Sequence, residues 1–272
     1  MSIDLQNCSR VFPVVEVGIE AVLASTTRTF ARHFHDQFGI GVILTGAQRS
    51  ASGRGPVEAI CGDVITVNPG EVHDGAPIDG EARTWAMLYI DPDTVARIAL
   101  DLSEGRTSDL QLEHPVRTDP ALARMFLRLF HSLSNDRGSR EDFGTEQLML
   151  LLERSALQGA RLERNGGASH GFRRARQAID DDPFARHRLD RLASIAGMGP
   201  FRLIRAFSAE TGMTPHAYAM QRRLQAARRL LRQGLSPAQA SAEAGFADQS
   251  HLTRLFARSY GMTPATYARA GR

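Results

Sequence analysis

Three histidines in the first third of the chain have the types and spacing that could do chemistry. Arg32-His33-Phe34-His35-Asp36 sets two imidazoles at i and i+2, on one face of an extended strand. The stretch Gly62-Asp63 to Asn68-Pro69-Gly70-Glu71-Val72-His73 reads as a turn, a short strand and a loop that ends on the third. Three imidazoles suffice to hold zinc or iron with one coordination position open. The same groups can line a polar pocket for a small molecule, or be held structurally by hydrogen bonds. His33, His35 and His73 are thus candidate ligands of a divalent metal, and no cofactor is required by the other two readings. Together with Glu71 and the sole tryptophan, Trp85, they are also candidate contacts for a small molecule. Trp85 offers a flat apolar wall, and a plain core position explains it as well. No catalytic residue is assigned.

Short apolar runs surround these residues. Ala21–Ala24, Ile40–Leu44, Val57–Ile60, Val64–Val67 and Thr84–Ile90 alternate and are broken by Gly, Pro and Asp. Many short strands with turn signals predict an antiparallel sandwich or barrel. Helices follow. Asp119-Pro120 is a cap with a first-turn proline, and Leu122, Met125, Phe126, Leu129, Phe130 and Leu133 form an apolar stripe. A second helix is predicted from about Glu141 to Gly159, with Leu148, Leu151, Leu152 and Ser155 on or near one face. The stripe either faces a partner or docks onto the strands.

The back of the chain repeats itself. RAFSAETGMTPHAYA at 205–219 returns as RLFARSYGMTPATYA at 254–268. Two copies make a duplicated supersecondary unit rather than a solenoid, which needs at least about three. Each copy spells helix, tight turn, helix. Leu189, Leu192, Ala193 and Ala196 lead to Gly197 in the first, and Pro200 opens the next helix. In the second, Ser236-Pro237 starts a helix, Gly245 turns the chain, and Asp248 caps a helix carrying Leu252, Leu255 and Phe256. Small residues at Ala193, Ala196, Ala240 and Ala244 let the paired helices approach closely, as a helix-turn-helix requires. Between the copies one long helix runs from the Thr214 cap and Pro215 to Gly234. Its length, about 30 Å, approaches the roughly 34 Å turn of B-DNA. Arg222, Arg223, Arg228, Arg229 and Arg232 ride on it, as phosphate contacts or as a solvated face.

The formal net charge of +3 is the sum of two opposed parts. Residues 1–165 carry 16 Arg against 23 acids, a charge of −7; residues 166–272 carry 17 Arg against 7, a charge of +10. A basic back suits a polyanionic partner. Asn165-Gly166-Gly167-Ala168-Ser169-His170-Gly171 lacks apolar periodicity and reads as a linker. Two cysteines, Cys8 and Cys61, without a Cys-x-x-Cys pair exclude a disulfide scaffold and a cysteine-built zinc finger. Glu16 and Glu20 interrupt the apolar residues near the start, so neither a signal peptide nor a membrane span is read, and a cytoplasmic location is expected.

Residues 172–272 resemble the DNA-binding domain of the AraC/XylS transcriptional regulators. The stretches PFRLIRAFSAETGMTPHAYAMQRRLQAARRLL and AGFADQSHLTRLFARSYGMTPATY carry the resemblance. It implies seven helices, two helix-turn-helix units at about 189–212 and 236–261, and reading of two adjacent major grooves. Base-edge contacts carried over by position fall on Phe201, Arg202, Ile204 and Arg205, and on Gln249, Ser250, His251, Thr253 and Arg254. Ile204 suits a thymine methyl or nothing. Arg205 and Arg254 suit guanine, a phosphate or a bracing role. Leu203, Phe207, Leu252 and Phe256 are expected in the core. The front half, with Gly62, Gly70 and His73, resembles a cupin of the kind that serves AraC-like regulators as sensor. The glutamate expected after the paired histidines is absent, and Asn68 stands where proline is usual. The resemblance also implies that the helices after the strands make a dimer.

The expected fold is α+β. An N-terminal cupin-like antiparallel β-barrel with dimerisation helices (1–165) and a linker (166–171) precede an all-α domain with two helix-turn-helix motifs (172–272). The expected function is a transcriptional regulator that binds promoter DNA as a homodimer, answers a small-molecule effector and meets RNA polymerase. Two rivals are a metal-dependent cupin enzyme with a helical appendage, and a regulator that needs no effector. An RNA-binding protein is disfavoured, since paired major-groove readers do not suit the narrow groove of A-form RNA.

Overall fold

The computed structural model describes residues 8–12, 14, 18–103, 105–135, 141–155 and 170–270. By internal packing the chain divides into two units, Met1–Ala160 and Arg161–Ala270.

The first unit holds strands β1 (Cys8–Phe12), β2 (Ile19–Thr26), β3 (Phe30–His33), β4 (Phe38–Thr45), β5 (Ala47–Ser52), β6 (Gly55–Ile60), β7 (Val64–Val67), β8 (His73–Pro77), β9 (Arg83–Ile90) and β10 (Val116–Arg117). Helix α1 (Pro92–Leu102) lies between β9 and β10, and α2 (Pro120–Asn135) and α3 (Glu141–Ser155) follow. All strand pairs are antiparallel, in a six-stranded sheet ordered β1-β2-β9-β4-β7-β10 and a four-stranded sheet ordered β3-β8-β5-β6. The apolar runs read from the sequence fall in β2, β4, β6, β7 and β9. The other strands have little apolar alternation and owe their conformation to pairing. Of the expected sandwich or barrel, the described residues form two separate antiparallel ladders, and the barrel is not closed. Closure depends on register and tilt, which alternation does not encode.

The two faces of β9 have different work. Ala86, Leu88 and Ile90 join Ile40 and Val42 of β4 in one apolar cluster with the helices. That cluster absorbs the α2 stripe: Leu122, Phe126, Leu129, Phe130 and Leu133 are all buried, as are Leu148, Leu151 and Leu152 of α3. The stripe thus docks onto the sheet. Of the two readings of the stripe, docking onto the strands is the one its packing supports. Asp119 caps α2 as anticipated, accepting from the backbone N–H of Ala121 and of Leu122 at 3.0 Å each. These hydrogen bonds, led by that from Leu122, outweigh desolvation and, with Arg154, hold its carboxyl below the ordinary range. The expected extension of α3 to Gly159 lies outside the described residues.

The second unit is helical among the described residues: α4 (His170–Asp181), α5 (Leu189–Ala196), α6 (Pro200–Thr211), α7 (Pro215–Arg232), α8 (Pro237–Glu243), α9 (Gln249–Tyr260) and α10 (Pro264–Ala270). Gly197, Gly212, Gly245 and Gly261 take φ of 66°, 68°, 71° and 71°, a region that favours glycine, at matching points of the two copies. Thr214 accepts from the N–H of Ala217, Asp248 from that of His251, and Ser236 forms a capping box with Gln239. The 18 residues of α7 span about 27 Å. The expected linker needs correction at its end. His170 and Gly171 open α4, and 166–169 lie outside the described residues. Gly171 serves close approach rather than flexibility, because a Cβ there would collide with the carbonyl oxygen of Ala196.

Candidate functional sites

The side of β9 turned away from the helices carries Arg83, Trp85, Met87 and Tyr89, every second residue. Their partners lie on or beside the four-stranded sheet. Trp85 meets Phe30 of β3 edge-on at 6.0 Å between centroids, and Tyr89 lies 5.0 Å from the ring of His35. His33 ends β3 and His73 opens β8, and the two are register partners. His35 sits just beyond β3. Ring centroids are 4.4 Å apart for His33–His73, 5.0 Å for His33–His35 and 5.2 Å for His35–His73. The structure thus brings all three histidines together, with one ligand atom from each within 4.8 Å of the others.

Local hydrogen bonds set the tautomers. A carbonyl oxygen only accepts, so Nδ1–H of His33 donates to Ala31 at 2.8 Å and Nδ1–H of His73 donates to Glu71 at 2.9 Å. Nε2 of each then carries the lone pair. Burial, reinforced by the neighbouring His73, pushes His33 down to about 3. Burial also lowers His73. The pair is therefore neutral at ordinary pH, the form that accepts hydrogen bonds and ligates metals. Bonds of about 2.0–2.1 Å in a tetrahedral site put donor atoms about 3.3 Å apart, so an ion would draw the imidazoles inward.

Glu71 is placed differently. Its carboxylate accepts from Arg54 Nε at 2.7 Å and from the Asn68 backbone N–H at 3.1 Å. Arg54 and neighbouring hydrogen bonds hold it below the ordinary range against the opposing effect of burial. Arg54 also donates to the carbonyls of Thr66, Leu112 and Glu113. Asn68 bonds the backbone of Leu112 in both directions, at 2.9 and 3.0 Å. The result is a brace that fixes the loop carrying His73. Arg83 was not among the candidate residues. Its signal was the alternation Arg83-Trp85-Met87-Tyr89, which puts a cation on the same face as the tryptophan.

In the second unit the exposed faces of α6 and α9 hold the residues carried over as base contacts. Phe201 is 86% exposed; Arg202 and Arg205 are exposed and Ile204 is half-buried. Gln249, Ser250 and Arg254 are exposed, while His251 and Thr253 are half-buried. The Thr253 hydroxyl donates back to the Gln249 carbonyl at 2.8 Å, and His251 packs edge-on against Phe246 at 5.5 Å. Leu203, Phe207, Leu252 and Phe256 are wholly buried core.

The arginines of α7 divide. Arg228 is buried, donates from Nε to the Tyr267 hydroxyl at 3.0 Å and lies over the Tyr260 and Tyr267 rings. Arg223 donates to the carbonyls of Pro183, Ala185 and Gly245. Arg222 pairs with Asp180 at 2.8 Å. These three brace the fold; Arg229 and Arg232 are exposed. The sequence repeat showed Tyr218 and Tyr267 but not their partners. Arg176 donates to the Tyr218 hydroxyl at 3.1 Å, as Arg228 does to Tyr267.

Comparison with known proteins places this architecture. The profile of the AraC-like ligand binding domain matches residues 16–256. The HTH-type transcriptional regulator YbfI of Bacillus subtilis is 27% identical over 227 residues, 82% of this chain and 81% of that protein. The transcriptional activator RhaS of Escherichia coli is 26% identical over 246 residues, 86% of each. Among solved structures, ToxT of Vibrio cholerae bound to unsaturated fatty acid aligns with a TM-score of 0.55 at 13% identity, covering 96% of this chain and 94% of that one. That likeness shows a shared fold. Taken with the paired helix-turn-helix units, the profile match establishes that the chain belongs to the AraC family of transcriptional regulators with an AraC-like ligand binding domain.

Proposed function

We propose that this regulator reads DNA with α6 and α9 and binds its effector on the inner face of β9, against His33, His35, His73 and Trp85. The observation that carries the reading is the exposed set Phe201, Arg202, Arg205, Gln249, Ser250 and Arg254, raised on two helices whose opposite sides are core. Arg202, Arg205 and Arg254 supply the cationic donors for guanine edges or phosphates, and Phe201 supplies an apolar tip. The effector shifts the population of DNA-competent chains, and no catalysis is involved. ToxT, which shares the fold, has been solved with unsaturated fatty acid bound, and this supports a small-molecule effector here.

The neutral imidazoles favour a second reading of the same residues. His33, His35 and His73 would hold a divalent ion of the zinc class, with Nδ1 of His33 and His73 anchored on backbone carbonyls. The ion would supply a Lewis-acidic position for an effector oxygen. Metal content of the purified full chain separates the two: stoichiometric zinc or iron selects the metal centre, and none selects a pocket of neutral histidines.

A homodimer is the proposed assembly, with RNA polymerase as a further partner at the promoter. Leu127 and Leu150 are leucines of α2 and α3 left exposed. Sedimentation of the full chain tests the dimer. For DNA, duplexes are selected from a random library with the full chain, and affinity is measured against salt. A regulator gives a consensus with two half-sites about one helical turn apart and steep salt dependence. No consensus and a flat salt response would reject the reading.

A further inference from the structure

Arg83 is 1% exposed, yet every acceptor it meets among the described residues is neutral. Nε donates to Gln48 Oε1 at 3.2 Å, Nη1 to the carbonyls of Thr26 and Arg28 at 3.3 and 3.0 Å, and Nη2 to that of Gly75 at 3.3 Å. Four of its five N–H groups are thereby used, and the second N–H on Nη2 remains. No ion pair with a carboxylate forms among the described residues. Its charge is met only by two ring faces, Phe30 at 5.6 Å and Trp85 at 5.1 Å. Buried charges in proteins are ordinarily paired, because removing an ion from water costs several kcal/mol.

Gly75 lies beside the guanidinium. A Cβ built on Gly75 would stand 3.7 Å from Arg83 Nη2 and meet no other heavy atom within 4 Å, its chain neighbours aside. Gly75 is buried in β8 and has no positive φ. The glycine therefore leaves space for at least a methyl-sized group beside Nη2, next to Phe30, its register partner.

We propose that Arg83 Nη2 and the gap at Gly75 form an anion seat that receives the carboxylate of the effector, with Phe30 and Trp85 against its carbon skeleton. The proposal rests on the effector reading of the inner face and names the chemical class of ligand. A carboxylate would supply the missing counter-charge and accept from the spare Nη2–H, a charge-assisted bond.

Trp85 is the only tryptophan, so its fluorescence reports on this seat alone. The full chain is titrated with acetate, benzoate and octanoate, and with the neutral amide of each. The expected result is a saturable change with at least one carboxylate and binding at least about tenfold weaker for its amide. Arg83→Met tests the cation directly but removes four structural bonds. Gly75→Ala is the gentler variant: its methyl makes ordinary contact with Nη2 and occupies the space beside it, so the melting temperature is expected to hold and the response to be lost. No response to any carboxylate, an equal response to the amides, or an unchanged response in a folded Gly75→Ala chain overturns the seat. DNA selection with the same preparation is scored separately. A chain that binds DNA but no carboxylate loses only this proposal; one that binds carboxylate but no DNA loses the regulator reading instead.

Discussion

In the second unit the arginines turned inward meet partners from their own fold. Arg176 and Arg222 converge on Asp180 from α4 and α7, with the Tyr218 hydroxyl donating to the same carboxylate at 2.9 Å. Arg228 meets one phenol and two ring faces. In the first unit Arg54 and Glu71 make a similar brace, but Arg83 has only neutral acceptors and His33 and His73 are held uncharged. Burial lowers the Arg83 guanidinium to about 10, still protonated at neutral pH. The difference teaches where each unit waits for an outside molecule. The helical unit pairs Arg176, Arg222 and Arg228 within its own fold and keeps Arg202, Arg205 and Arg254 on its surface. The strand-rich unit buries a cation without a carboxylate, and that is where the proposed effector seat lies.

The comparison breaks most readily at the duplicated core. Phe207→Ala and Phe256→Ala each remove a wholly buried ring at matching positions. Each should cost about 3–5 kcal/mol and abolish binding to every DNA sequence. Denaturant melts of the two variants check it; unequal losses would show that the two copies of the repeat differ in their cores.

Acid should separate the units next. Unfolded, a histidine takes up its proton as pH falls through about 6.5. Folded, His33 does so only at about 3, and His73 is lowered in the same direction. The unfolded chain therefore binds more protons across this window, and stability falls with pH below about 6.5 and is unaffected above it. The loss should be on the order of a few kcal/mol by pH 4. Melting of the full chain in a chelator, with His33→Asn as control, checks it. A first-unit transition that ignores pH between 7 and 4 would contradict the neutral cluster.

Within the helical unit, Arg228→Met should cost about 1.5–3 kcal/mol, since its bond to Tyr267 is buried. Arg176→Met, half-exposed, should cost under about 1 kcal/mol. Equal effects in thermal melts would mean that burial does not distinguish the pairs.

The surface cations give the smallest stability change and the sharpest readout. Arg205→Ala and Arg254→Ala should leave melting unchanged and relax preference at one base pair each by about 1–3 kcal/mol. Competition binding over single-base variants of the selected site measures this. Equal loss on all sequences, with a shallower salt slope, would assign them to phosphate instead.

Much of this was legible beforehand, and the legible part was local. Gly197, Gly245, Pro200, Pro237, Thr214 and Asp248 announce turns and helix starts because their backbone preferences and short-range hydrogen bonds act within a few residues. The histidine triad was also foreseeable, from one i, i+2 pair and a third histidine after a turn. Glu71 and three of the five arginines on α7 were not. A carboxylate reads the same whether it faces a ligand or an arginine seventeen positions away, as Glu71 faces Arg54.

By itself the sequence determined the class of the chain, its repeated helix-turn-helix units and the residue types offered to DNA, since periodicity, capping and duplication are properties of nearby positions. Only the tertiary structure decided that the strands form two ladders, that the α2 stripe is core, that Glu71 braces a loop, and that Arg83 is buried without a carboxylate. Each of those depends on which distant strand lies opposite, and on whether water or protein fills the space between them.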